Sequence, residues 1–201
     1  MSYGISWAPG ATTCGLVCKD GVVLASEKRV HFAGRVISKT GKKVFKVTDW
    51  IGIACAGLIS DFQILTSTIR AYTSLFSFER GRKISVKSTA KFMSGVLYSR
   101  RWFPYFTDTL VGGIDAKGGQ LFALDLIGSL IDDVYAAIGT GAQVAIGVLE
   151  EEYKENMSLE EGKQLLIKAI KSASERDPLS GNGIDVLLIS QKGAEFSEIN
   201  L

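Results

Sequence analysis

Apolar residues along this chain keep two different rhythms, and the places where the rhythm changes divide it into blocks. Leu16 to Lys19 and Val22 to Arg29 alternate or run apolar on either side of Lys19-Asp20-Gly21, which predicts a β-hairpin with Asp-Gly at its corner. Val36 to Ser38 and Val44 to Val47 flank a second turn at Thr40-Gly41-Lys42, and Ile51 to Ala56 is a short unbroken apolar run that stops at Gly57. A run of that length reads as a buried strand. From Ser60 the period lengthens: Phe62, Leu65, Ile69, Tyr72 and Phe76 recur at spacings of three and four, predicting an amphipathic helix that ends near Gly81. Phe92, Met93, Val96 and Leu97 mark a second helix, stopped by Pro104 because the residue before a proline is pushed out of the helical region. Strands return at Thr109 to Ile114, Gln120 to Asp125 and Val134 to Ile138. A helix from about Ala142 to Tyr153 follows. Ser158-Leu159-Glu160-Glu161 then has the form of a capping box, opening a helix with Leu166, Ala169, Ile170 and Ala173 inward. Ile184 to Ile189 and Ala194 to Ser197 are the closing strands.

Strands and helices in separate blocks predict an α+β fold of antiparallel sheets with helices on the outside. The 201 residues, 46% of them apolar, suffice for one substantial core. No apolar run approaches the roughly 20 residues of a membrane-spanning helix, and Met1 to Gly10 has neither the basic nor the apolar region of a secretory signal. With 23 basic and 21 acidic residues the net charge is +2, and Lys83, Lys87, Lys91, Arg100 and Arg101 are too dispersed for a nucleic-acid footprint. The expectation is a cytoplasmic protein that binds neither membrane nor nucleic acid.

Cys14, Cys18 and Cys55 are an odd number, which suits a reducing compartment and free thiols. With His31 they could formally supply four zinc ligands, but there is no CxxC pair and a strand would hold Cys14 and Cys18 apart; no metal and no cofactor is expected. Few Asn and Gln beside many Lys and Glu is a composition common in heat-adapted proteins.

Two glycine motifs fail on inspection. Gly139-Thr140-Gly141 precedes a helix, but a dinucleotide fingerprint needs a third glycine where Val144 stands. Gly41-Lys42-Lys43 is not a phosphate loop, because Val36 and Lys43 occupy positions that need Gly and Ser or Thr. A Ser-His-Asp triad would have to use His31, the only histidine, and nothing places an acid and a serine beside it.

Other segments agree in content and spacing across nearly the whole chain. They are Gly10-Ala11-Thr12-Thr13-Cys14-Gly15, the run from Lys19 to Arg29 with Ser26-Glu27-Lys28-Arg29 at its end, Gly41-Lys42-Lys43, Ala56-Gly57-Leu58, and Arg176-Asp177-Pro178-Leu179-Ser180-Gly181. Together they resemble a proteasome β subunit of archaeal type, a threonine endopeptidase of the N-terminal nucleophile hydrolases. An α subunit would be expected to carry a longer leading extension than the ten residues before Ala11, so the resemblance implies a β subunit.

The resemblance implies a four-layer αββα sandwich, with residues 1–10 as a propeptide and 11–201 as the β-type domain. In the family, cleavage after the position of Gly10 frees a threonine whose hydroxyl attacks peptides. Here that position is Ala11. Lys43, held by Glu27, would ease deprotonation of the hydroxyl; Asp177 and Ser180 would orient the terminal amine; the Gly57 N–H would face the oxyanion. Substrate would lie extended beside His31 and Gly57, its side chain before the scissile bond entering a pocket of Val30, Gly41, Phe45, Cys55, Ile59 and Gln63. Implied partners are α subunits and other β subunits in stacked seven-membered rings, unfolded polypeptide as substrate, and an ATP-dependent unfoldase acting through the α ring.

Two departures bear on activity. Ala11 has no oxygen, so the resemblance implies an inert, unprocessed chain; Ala142 stands where many active relatives carry a serine. A single replacement in an intact site suits an engineered trap, and two losses suit a naturally silent structural subunit working beside active partners.

Overall fold

The computed structural model describes residues 10–32 and 35–200. Of the expected propeptide only Gly10 falls within them; Met1 to Pro9 lie outside the described residues.

The chain opens with β1 (Thr13–Cys18) and β2 (Gly21–Glu27), paired antiparallel around Lys19-Asp20 as the Asp-Gly signal predicts. A side hairpin follows, β3 (Val30–Phe32) with β4 (Arg35–Ser38), then β5 (Val44–Lys46) and β6 (Ile51–Gly57). Helices α1 (Ile59–Arg80) and α2 (Val86–Ser99) lead to β7 (Thr107–Asp115), β8 (Gly118–Leu124), β9 (Leu130–Asp133) and β10 (Tyr135–Ile138). The chain closes with α3 (Ala142–Glu152), α4 (Leu159–Ser174), β11 (Ile184–Ser190) and β12 (Gly193–Ile199).

Two five-stranded antiparallel sheets result, ordered β10-β1-β2-β11-β12 and β5-β6-β7-β8-β9. Side-chain alternation sorts each strand's residues between the layers. In β2, Val22 and Leu24 face the other sheet and, with Leu187 and Ile189 of the neighbouring β11, cluster with Leu110 of β7 and Leu121 of β8. Val23 and Ala25 point the opposite way, with Leu16, into a layer filled by Leu149 of α3 and Leu166, Ala169, Ile170 and Ala173 of α4. Both faces of β2 are covered, which is why it reads as an unbroken apolar run and not as an alternating one. On the far side, Ile51, Ile53, Cys55, Val111 and Phe122 of the second sheet pack on Phe62, Leu65 and Ile69 of α1 and Ala90, Met93 and Leu97 of α2. The architecture is the expected α+β arrangement, helices, sheet, sheet, helices.

The helix ends carry specific stops. Gly81 closes α1 in the left-handed conformation, at φ 61°. Ser158 forms the complete capping box at the start of α4, its hydroxyl accepting from Glu161 N–H while the Glu161 carboxylate accepts from Ser158 N–H. Pro104 does not end α2. The helix stops at Ser99, where Arg100 N–H bonds Leu97 O at 3.0 Å and Arg101 N–H bonds Tyr98 O at 3.2 Å, tightening the chain before the proline is reached.

The strand expected over Val134 to Ile138 is present as β10, and β9 before it was not foreseen. The segment belongs to a longer stretch that changes sheets: β9 pairs with β8, β10 pairs with β1, and Val134 sits at the corner with its carbonyl taken by Val17 N–H at 2.7 Å. Periodicity sees a strand but not which sheet it joins. Burial in the outer helix layer makes Leu166→Ala a measure of that packing. This fully buried side chain touches no site residue, and its truncation is expected to cost about 2–5 kcal/mol, read as a lower urea midpoint of the purified chain.

Candidate active site

The end of β2 carries Glu27, and the residue before β5 is Lys43. Both are buried, Glu27 completely and Lys43 to 3% exposure. The Lys43 ammonium pairs with Glu27 Oε1 and donates to the Arg29 carbonyl at 2.7 Å. Glu27 Oε2 accepts from the backbone N–H of Arg29 at 2.6 Å and of Gly181 at 3.0 Å. Burial pushes the Glu27 carboxyl above its usual range and the Lys43 ammonium below, each shift opposed by the partner's charge. An ammonium weakened in this way can take up and release a proton at lower cost than one in water.

A second polar chain runs through the loop before β11. Asp177 Oδ2 accepts from Ser180 Oγ at 2.7 Å and from Thr140 Oγ1 at 2.5 Å, while Oδ1 accepts from Leu179 N–H at 3.0 Å. Ser180 Oγ also lies 2.7 Å from Thr12 Oγ1, so two hydroxyls and a carboxylate form a continuous buried line. Ala11 is fully buried beside it. Its carbonyl accepts from Gly141 N–H at 3.3 Å and from Thr140 Oγ1 at 3.4 Å, and the next carbonyl, that of Thr12, accepts from Glu27 N–H at 3.1 Å. Gly139-Thr140-Gly141 is thus a cradle for the backbone at position 11. Gly139 has φ 92° and a Cβ there would stand 2.2 Å from the Ala11 oxygen, so glycine is required.

Gly57 closes β6 opposite Thr107, at φ 141°, with Phe106 O only 2.3 Å from where a Cβ would be. His31, half-buried on β3, accepts the Gly10 N–H at 2.8 Å through Nε2. Of the six pocket residues, Phe45, Cys55 and Ile59 share the cluster under α1, and Phe45 packs on Phe62 with ring centroids 5.9 Å apart. Val30 and Gly41 adjoin one another, since a Cβ on Gly41 would meet Val30 Cγ2 at 2.2 Å. Gln63 is exposed on α1, apart from the buried side chains of that cluster. Ala142 begins α3 and brings only a methyl group. The three cysteines are free and buried, and burial raises the thiols of Cys14 and Cys18 to about 12.

Sequence reasoning did not single out Thr12, Thr13, Ser26, Arg29, Thr140 or Asn182. Thr13 Oγ1 joins the sheets by bonding both Ser26 Oγ at 2.6 Å and the Cys55 carbonyl at 2.9 Å. Arg29 ties the loop down, Nε to Asn182 Oδ1 at 2.8 Å and Nη1 to the Pro178 carbonyl at 2.6 Å. Thr140, between two glycines before a helix, was the one with a visible signal.

A sandwich of two antiparallel sheets between helices, here with a buried Lys43–Glu27 pair and an Asp177–Ser180 pair that reaches Thr12 just before β1, has the fold of the N-terminal nucleophile hydrolases. The family profile described as proteasome subunit matches residues 8–189. The chain belongs to the proteasome subunit family, as an archaeal-type β subunit. It is 46% identical over 192 residues to proteasome subunit beta 2 of Pyrobaculum arsenaticum, covering 96% of this chain and 95% of that one. It is 46% identical over 193 residues to proteasome subunit beta 1 of Hyperthermus butylicus (96% and 94% covered) and 48% identical over 190 residues to proteasome subunit beta 2 of Caldivirga maquilingensis (94% and 95% covered).

The ion pair predicts its own test. Lys43→Met strands the Glu27 carboxylate in the interior and is expected to destabilise by about 3–5 kcal/mol in chemical denaturation. Adding Glu27→Gln, which removes the charge and keeps an oxygen for the Gly181 N–H, is expected to recover part of that loss.

Proposed function

We propose that this chain is a β subunit of a proteasome core particle whose own site does not cleave peptides. The observation that carries the reading is that a buried Ala11, with only a methyl group, has its carbonyl held by Thr140, whose hydroxyl also reaches Asp177 of the Asp177–Ser180 pair, while the next residue's carbonyl accepts from Glu27 N–H of the Glu27–Lys43 pair. In an active site of this kind the side chain at position 11 would supply the hydroxyl, Lys43 would lower the cost of its deprotonation, and the freed amine, oriented through Asp177 and Ser180, would carry the proton. The Gly57 N–H would then stabilise the oxyanion. Without Oγ the first step has no nucleophile, and the bond between Gly10 and Ala11 has none to cleave it either.

The remaining role is structural. As a family member the chain assembles with α and β subunits in rings; its exposed apolar side chains, among them Phe78 at 87%, Trp102 at 78% and Phe103 at 87% exposure, support a surface that subunit contacts cover. In that assembly we place it in the cytoplasm, with unfolded polypeptide fed through the α ring by an ATP-dependent unfoldase and hydrolysed by active neighbours or, in an engineered particle, merely held. Ala142, a second missing hydroxyl, supports a naturally silent subunit; the intact Lys43, Glu27, Asp177 and Ser180 support a single replacement at position 11.

Ala11→Thr separates them. With the rest of the frame in place, the assembled variant is expected to lose Met1 to Gly10, seen as the corresponding drop in intact mass. Retention of the segment would mean that the site is degenerate beyond position 11. The unmodified chain, assembled with α subunits alone, is expected to turn over no fluorogenic peptide.

The pocket reading gives a further expectation for the processed variant. Val30, Gly41, Phe45, Cys55, Ile59 and Gln63 carry no charge, so a cationic side chain would lose hydration without gaining a partner, whereas a large apolar one gains about 1.5–3 kcal/mol by burial. Values of kcat/KM for matched peptides should favour Leu or Tyr over Arg or Asp before the scissile bond, and the reverse order would overturn the pocket assignment.

A further inference from the structure

The hydrogen bond from Gly10 to His31 has a chemical requirement. Nε2 can accept the Gly10 N–H only from a neutral imidazole whose proton is on Nδ1. Nδ1 is itself buried and has no hydrogen-bond partner among the described residues, so Gly10 is the group that the ring's polar edge serves. The fit around Gly10 is as narrow: a Cβ there would lie 2.4 Å from Leu179 Cβ and 2.9 Å from His31 Nε2. Gly10 and Ala11 are both buried at this point, so the chain's own backbone fills the space in front of position 11.

We propose that His31 and Leu179 form a clamp that closes the site on the chain's own Gly10, and that the clamp opens when the imidazole takes up a proton. A protonated ring presents N–H at both nitrogens, so the Gly10 N–H would face a donor. The charged groups around the ring reinforce this: Lys43 and Arg29 oppose a cation there, and Asp177 partly offsets them. Burial and Lys43 lower the imidazole's pKa when the clamp is closed, and on opening it returns toward the ordinary value of about 6.5. The open form therefore binds the proton more readily. Closure is fully present above about pH 6.5 and is lost as pH falls below it, the opening constant rising by up to about tenfold per pH unit until the closed-state pKa is reached. His31 acts here as a positioning residue; it touches the segment before Ala11 and not a reacting atom.

Hydrogen exchange of the amides at Gly10 and Ala11 in the full-length chain tests this, read by mass spectrometry at about pH 7.5, 6.5 and 5.5 and corrected for intrinsic exchange. Protection is expected to fall by up to about fivefold between the last two conditions. His31→Gln offers an amide oxygen that does not titrate and is expected to keep protection at all three pH values, whereas His31→Leu removes the acceptor and should lose protection at all three. Protection in the unmodified chain that does not change with pH would overturn the proposal, as would a His31→Gln protein that loses protection on acidification in parallel, which would place the titration on a carboxylate. Should His31→Leu fail to fold, the pH series on the unmodified chain and the glutamine variant still decides.

Discussion

Glu27 and Lys43 are a charged pair buried away from solvent, and the segments around them are organised by the need to keep both satisfied. Removing two charges from solvent costs several kcal/mol each unless nearly every polar site is matched. Here Glu27 receives Lys43 and the N–H groups of Arg29 and Gly181, and Lys43 also reaches the Arg29 carbonyl. Those partners come from the end of β2, the approach to β5 and the loop before β11, so the pair fixes three separate segments at once. Arg29 extends the tie by holding Asn182 and Pro178. With that loop in place, Asp177 and Ser180 can reach Thr12 and Thr140.

Position 11 is held almost entirely by backbone. Gly141 N–H and the Thr140 hydroxyl take the Ala11 carbonyl, and Glu27 N–H takes that of Thr12. None of these contacts depends on the side chain at position 11, so the frame holds the backbone there whatever side chain it carries. The same backbone hold leads Gly10 toward His31 and Leu179, where the absence of a Cβ lets the chain pass.

Local signals fix much of the architecture. The Asp-Gly corner, the three-and-four stripe from Phe62 to Phe76, the Ser158 capping box and the unbroken apolar run of β2 each depend on neighbours within a few residues, and each appears where expected. Ala11, Glu27, Lys43, Asp177 and Ser180 were singled out through the family resemblance, and the fold pairs Glu27 with Lys43 and Asp177 with Ser180. What the sequence could not decide was which layer or partner each segment meets. The turn of the chain at Val134 from one sheet to the other, the tightening of α2 at Ser99, and the approach of Thr12 to Ser180 or of Gly10 to His31 arise from the packing of sheets and helices. Periodicity records that a side chain must be covered and the fold alone chooses what covers it, because partners so distant along the chain meet only once the layers have closed.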